Sequence, residues 1–328
     1  MTISYELIPS TLIADRPALT LLPVTASDLE ALVTRFQQSL LGASGEPDSA
    51  VSERLYRLLV DSASQLQRGA NLIVIPDRWL HFVPFVALRD PATGRFLVRD
   101  HAVTYAPSAT LLLSNLARPQ QRFSHESKVL AVGNPAFDRQ AFHLPDLPAA
   151  DGEARRIASL YADQSPLIGR DATDNALERM APAYDILHFA GHAVVGRNAP
   201  QLSHLVLASE GRSDGAVFST EIAKWKLART RLVILSGCNT ADGKLSATEG
   251  ASSLARAFFA AGVPAVVASL WAIEDDDTAD FFIAFHRRLV QGEPAAVALR
   301  ETQIKWLGDG RSPARPVRSW AAFQLFGG

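Results

Sequence analysis

Two stretches place reactive side chains where an apolar run gives way to a glycine-bearing turn. ILHFAGHAVVG (residues 186–196) carries His188 within the run and His192 beyond it. LVILSGCNTADG (residues 232–243) carries Cys238, the chain's one cysteine, directly after Gly237. An imidazole with an ordinary pKa of about 6.5 accepts a proton near neutrality, and a thiol needs such a base to become a thiolate. His192 and Cys238 are therefore the candidate nucleophilic pair, with acyl transfer as the expected chemistry. Gly191 and Gly237 permit sharp turns that aim backbone N–H groups at a developing oxyanion, and no acidic group is obvious as an orienter of the imidazole.

Competing chemistries are weaker. His188 and His192 follow an HxxxH spacing, but the segment is strand-like and Phe189 stands where a zincin needs glutamate, so no metal site is expected. His188 is expected in a structural role. There is no GxSxG elbow around Ser236 and no GxxxxGK[ST] phosphate loop.

The elements that must position this pair are read from periodicity. KVLAVGNP, DILHFAGH, LVILSGC and VPAVVASLW read as buried strands, and SPLIG as a short one. GEARRIASLY, TDNALERM with Thr173 as its cap, EGASSLARAFFAAG, TADFFIAFHRRLVQG and PAAVALRETQIKWL read as helices. Strands alternating with helices predict an α/β fold with a mainly parallel sheet flanked by helices, preceded by a smaller α/β N-terminal part. In that part, residues 27–41 and SERLYRLLVDSASQLQ read as helices, NLIVIPD and LHFVPFVALRD as strand-like runs, and ATLLLSNLA as a short helix or buried segment. The polar stretch ARPQQRFSHES suggests a division into residues 1–120 and 121–328.

Composition bounds the rest. The 328 residues are 48% hydrophobic with a formal net charge of −2, enough for a large core and without a basic footprint for nucleic acid. One cysteine precludes an internal disulfide and fits a reducing compartment. The first residues lack the pattern of a secretory signal, and the longest apolar run, Ala257 to Ile273, is interrupted by Gly262 and Pro264. A cytoplasmic protein without membrane contact is expected.

NLIVIPDRWLHFVPFVALRD, KVLAVGNPAF, DILHFAGHAVV, LVILSGCNTADG, EGASSLARAFFAAGVPAVVASLWAIEDD and FHRRLVQGEPAAVALRETQ occur in this order over roughly residues 70–305. Together they resemble the CHAT domain, a caspase-like and separase-like cysteine peptidase domain. The resemblance implies a caspase-like layered fold, His192 as base and Cys238 as nucleophile. It also implies an oxyanion hole from the backbone N–H groups of Ala193, Gly237 and Cys238. It departs from the family pattern at Ala193, where glycine usually follows the histidine. It implies a cysteine endopeptidase acting on a protein or peptide substrate, with no cofactor and with a regulatory protein partner as a route to activation.

The segment WAIEDDDTAD offers Asp275 and Asp277 as pocket residues for a basic side chain before the cut. The other reading is a solvated loop whose Asp277 or Thr278 caps a helix. The alternative function is a catalytically silent CHAT-type signalling or scaffold domain that binds a protein partner. The basic edge of FFIAFHRRLV, with Arg287 and Arg288, belongs to that reading.

Overall fold

The computed structural model describes residues 21–61, 69–118, 122–162, 166–196, 199–237, 248–308 and 314–327. Its core is one sheet of eight strands. In chain order these are β1 (Leu72–Val74), β2 (Val103–Tyr105), β3 (Val129–Gly133), β4 (Leu167–Ile168) and β5 (Ile186–Ala190). A side sheet of β6 (Ala193–Val194), β7 (His204–Val206) and β8 (Ala216–Phe218) intervenes. Then β9 (Leu232–Leu235), β10 (Ala265–Ser269) and β11 (Phe323–Gly327) complete the main sheet. The spatial order is β1-β2-β11-β10-β9-β5-β3-β4, parallel except where β11 runs against β10.

The helices are α1 (Ala26–Leu41), α2 (Ser49–Leu59), α3 (Ala109–Leu116), α4 (Arg139–Phe142), α5 (Pro148–Ala158) and α6 (Asp174–Met180). They continue with α7 (Ser219–Ile222), α8 (Thr248–Ala260), α9 (Asp275–Val290), α10 (Ala295–Leu307) and α11 (Val317–Ala321). This is the α/β layered, caspase-like architecture expected from the alternation of strands and helices. The central strands are buried along their whole length, as strands covered on both faces must be. Thr25, Asp48, Ser108 and Thr173 accept backbone N–H groups at the starts of α1, α2, α3 and α6.

Two expectations change. LHFVPFVALRD is not a strand: it forms two 3₁₀ turns, Arg78–Phe82 and Phe85–Ala87, on either side of Pro84. The Phe85 N–H, instead of joining a ladder, donates to the Tyr105 hydroxyl (3.0 Å), so an apolar run interrupted by proline is buried as turns. The acidic segment is no loop. Glu274 occupies the N-cap position and Asp275, Asp276 and Asp277 form the first turn of α9, where the helix dipole favours carboxylates. The strand β11, about which the sequence reading makes no statement, lies in the sheet between β2 and β10.

Candidate functional site

The parallel strands β5 and β9 are paired from Ile186↔Leu232 to Phe189↔Leu235, so the turns that leave them lie side by side, at the carboxyl edge where open α/β sheets collect ligands. The two turns are in close contact. The Ala193 N–H donates to the Gly237 carbonyl (3.0 Å) and the Ser236 N–H to the Phe189 carbonyl (2.9 Å). A Cβ on Gly237 would stand 2.2 Å from the Gly191 carbonyl oxygen, so glycine is required at 237 for this approach.

Beside these turns is a cavity of about 180 Å³. Its walls include His192, Ser236, Gly237, Glu153, Asp275 and Pro145. The His192 Nε2 lies 2.7 Å from the Pro145 carbonyl, an acceptor-only partner, so Nε2 carries the proton and donates it. The buried Nδ1 is then a lone pair without a hydrogen-bond partner among the described residues. Burial lowers the His192 pKa from its ordinary value, against the opposing effects of the Pro145 carbonyl, Asp275 and Asp146. Asp275 accepts the Ala149 N–H on Oδ2 (2.7 Å). Its pKa is raised, foremost by burial, with Glu153 and Asp276 adding to the rise.

The structure thus brings His192, Gly237 and Asp275 to one cavity and leaves Asp277 out. Asp277 Oδ1 is held by Arg315 Nη1 at 2.7 Å, and Asp277 is not among the lining residues. Cys238 lies outside the described residues.

The expected His192–Cys238 dyad, and the cysteine-peptidase activity inferred from it, are corrected. No Cys–His pairing is found among the contacts of the described histidines. His192 contacts the Pro145 carbonyl and, in a T-shaped arrangement, the Phe137 ring. The Ala193 N–H, expected in an oxyanion hole, is committed to the Gly237 carbonyl.

Beneath the cavity lies a polar chain that the sequence reading missed. Glu153 Oε1 accepts the Ser236 hydroxyl (2.6 Å) and meets His188 Nε2 at 3.0 Å. His188 Nδ1 meets His286 Nε2 at 3.3 Å, and His286 Nδ1 meets the Tyr161 hydroxyl at 2.8 Å. Two opposite relays satisfy every contact: Tyr161 O–H to His286, His286 Nε2–H to His188 and His188 Nε2–H to Glu153, or the reverse, starting from the Glu153 O–H. Burial pushes the Glu153 carboxyl up to about 8, partly offset by the Ser236 hydrogen bond. Burial likewise lowers His188 to about 3. Glu153 and His188 therefore form a neutral hydrogen bond near pH 7, and the short contact between them is no ion pair. A sequence signal existed: Glu153 shares the helical stripe of Ala150, Ala154 and Ile157, all buried.

Among the described residues, no group of three or more histidine, cysteine or carboxylate side chains is placed to hold a metal ion. No helix among them is long and apolar enough to cross a membrane.

The sheet order and the site at its carboxyl edge define a caspase-like α/β domain. The CHAT domain model matches residues 49–328, and the chain belongs to the CHAT domain family. It is 26% identical over 317 residues to tetratricopeptide repeat protein 28 of Mus musculus, and 26% identical over 311 residues to the Homo sapiens protein of that name. Each alignment covers 82% of this chain and 12% of the relative, so the chain spans about an eighth of those proteins' length.

Among solved structures, a Saccharomyces cerevisiae separase–securin complex matches with a TM-score of 0.51 at 17% identity, covering 86% of this chain and 17% of that chain. Gingipain R, described as an Arg-specific cysteine proteinase, matches with a TM-score of 0.51 at 10% identity, covering 92% and 74% of the two chains. At these identities the likeness is one of fold.

Proposed function

We propose that this chain is a catalytically silent CHAT domain that binds a protein partner, seating a basic side chain of that partner in the cavity beside His192 and Asp275. The observation that carries the reading is the pairing, in one cavity, of a half-buried carboxylate with a buried imidazole nitrogen that has no partner among the described residues. Both are acceptors. A guanidinium or ammonium group offers only donors and a positive charge, so it supplies what Asp275 and His192 Nδ1 lack. The yeast separase of similar fold was solved in complex with securin, which is in keeping with a fold of this class engaging another protein.

The test uses fluorescein-labelled octapeptides that differ at one position, holding arginine, lysine, citrulline or norleucine. Anisotropy should rank arginine and lysine above citrulline and norleucine by roughly tenfold or more, and Asp275→Asn should erase that ranking. Equal binding of arginine and citrulline peptides would remove the basic-pocket reading. Mass spectrometry of the same mixtures should find every peptide intact, and cleavage would overturn catalytic silence.

A further inference from the structure

A second cleft lies away from this cavity, against the packed helices α9 and α10. It has a volume of about 250 Å³ and is lined by Arg156, Asp280, Arg287, Lys305, Trp306 and Arg315, with Ile283 and Ala284 contributing apolar wall. Among the described residues its charge is unbalanced. Arg156 Nη1 faces Asp280 at 3.6 Å, and Arg315 is held by Asp277 at 2.7 Å. Among the described residues the ion pairs at this cleft are Arg156–Asp280 and Arg315–Asp277, and neither Arg287 nor Lys305 takes part in one. Two positive charges among the described residues are thus left over in one concavity, supplied by two different helices.

The cleft also has a fixed floor. Trp306 is buried to 7% exposure, and the Arg315 guanidinium lies over its ring at 5.2 Å from the centroid. That stacking and the Asp277 contact both act on the Arg315 side chain, so its remaining N–H donors are presented from a restrained group. Each of Arg287 and Lys305 sits in the last turn of its helix, where a cation offsets the dipole. That role needs one cation per helix end and does not call for the two to share a cleft with two further arginines.

We infer that the α9–α10 cleft is a binding site for a phosphate monoester, with Arg287 and Lys305 as its charge-neutralising residues and Arg315 as a further donor. A phosphate monoester carries close to two negative charges at pH 7 and three acceptor oxygens, which matches the surplus of two. A single carboxylate would leave one cation unmatched. The group has two chemical sources, a phosphorylated side chain of a protein partner or a small soluble phosphate. Either would bind without disturbing the His192 cavity, so the inference stands apart from the basic-pocket reading.

The experiment measures anisotropy of a labelled alanine- and glycine-rich peptide carrying one phosphoserine, against its unphosphorylated and glutamate counterparts, with inorganic phosphate as competitor. The phosphopeptide should bind at least roughly tenfold more tightly than either counterpart and weaken as salt is raised. Arg287→Gln combined with Lys305→Gln should remove that advantage. Both side chains are exposed, and an unchanged circular-dichroism melt verifies that the variant folds. If inorganic phosphate competes and the peptide is bound no more tightly than the free ion, the site serves a small phosphate. If phosphorylated and unphosphorylated peptides bind alike, or the double variant keeps the full preference, the inference fails.

Discussion

Glu153 and His188 meet at 3.0 Å between Oε1 and Nε2, with their side chains 1% and 0% exposed, and burial drives their pKa values in opposite directions away from charge. The carboxyl rises to about 8 and the imidazole falls to about 3. A buried acid and base that both remain neutral avoid the desolvation cost of an ion pair while keeping the hydrogen bond. The linkage to stability follows from proton counting. Between about 4.5 and 8 the folded state holds a Glu153 proton that the unfolded chain has released, so stability falls as pH rises through this window. Between about 3 and 6.5 the unfolded chain holds a His188 proton that the folded state lacks, so stability rises with pH there. The lowered pKa values of His192 and His286 act in the same sense as His188.

Stability should therefore peak near pH 6.5 and decline towards pH 8. The decline from 6.5 to 8 belongs to Glu153 alone among these groups, and is on the order of 2 kcal/mol. Glu153→Gln keeps an acceptor for Ser236 and His188 but cannot ionise, so its melting temperature should be flat over that range. A parallel decline in wild type and variant, measured by calorimetry, would show that another group is responsible.

Asp275 has a structural as well as a recognition role, because its Oδ2 accepts the Ala149 N–H in the first turn of α5. Asp275→Ala should lower stability by about 1 kcal/mol through loss of that acceptor. Asp275→Asn retains a carbonyl oxygen for Ala149 and should cost less, while losing the charge that selects basic peptides. Urea denaturation of the two variants separates the roles. Equal losses would mean that charge, and not the acceptor, holds the start of α5.

Asp277 and Asp275 are two residues apart on α9 but should behave as unrelated positions. The Asp277–Arg315 pair is partly exposed, with side chains 20% and 47% accessible, so Asp277→Asn should change stability by no more than about 1 kcal/mol. Basic-peptide binding should be unchanged. The freed Arg315 guanidinium should instead strengthen phosphopeptide binding severalfold. A drop in basic-peptide affinity would place Asp277 in the first cavity after all.

How far the sequence could be read depended on whether a residue's signal was local. The strands β3, β5, β9 and β10 were legible because runs such as VLAV and LVIL match a strand buried on both faces. The co-location of His192, Gly237 and Asp275 was also within reach, since all three follow strands of one parallel sheet. The strand β11 was not, because the pairing of Phe323–Gly327 with β10 is a long-range fact with no local period. Nor were the short strands β6, β7 and β8, whose two or three residues carry no pattern. The dyad reading failed for a related reason. Residue types at two strand ends indicate which chemistry is conceivable, whereas hydrogen-bond partners are set by groups distant in sequence, such as the Pro145 carbonyl that engages His192.

Two glycines near the cavity should respond oppositely to the same substitution. At Gly237 a methyl group would stand 2.2 Å from the Gly191 carbonyl oxygen, a backbone atom that cannot rotate away. Gly237→Ala must push the β5 and β9 turns apart, straining the Ala193 N–H contact to the Gly237 carbonyl. Overpacking of this kind costs about 1 to 3 kcal/mol, and the loss should appear both in stability and in peptide binding, since the turns form the cavity wall. Gly152 lies within α5, one residue from Glu153, and a methyl group there meets nothing within 4 Å. Gly152→Ala should therefore stabilise the protein by about 0.5 to 1 kcal/mol through helix propensity alone, leaving binding unchanged. Denaturant titration of both variants is decisive: a tolerated Gly237→Ala would mean the two turns have room to separate, and the cavity geometry that Asp275 and His192 share would then be adjustable.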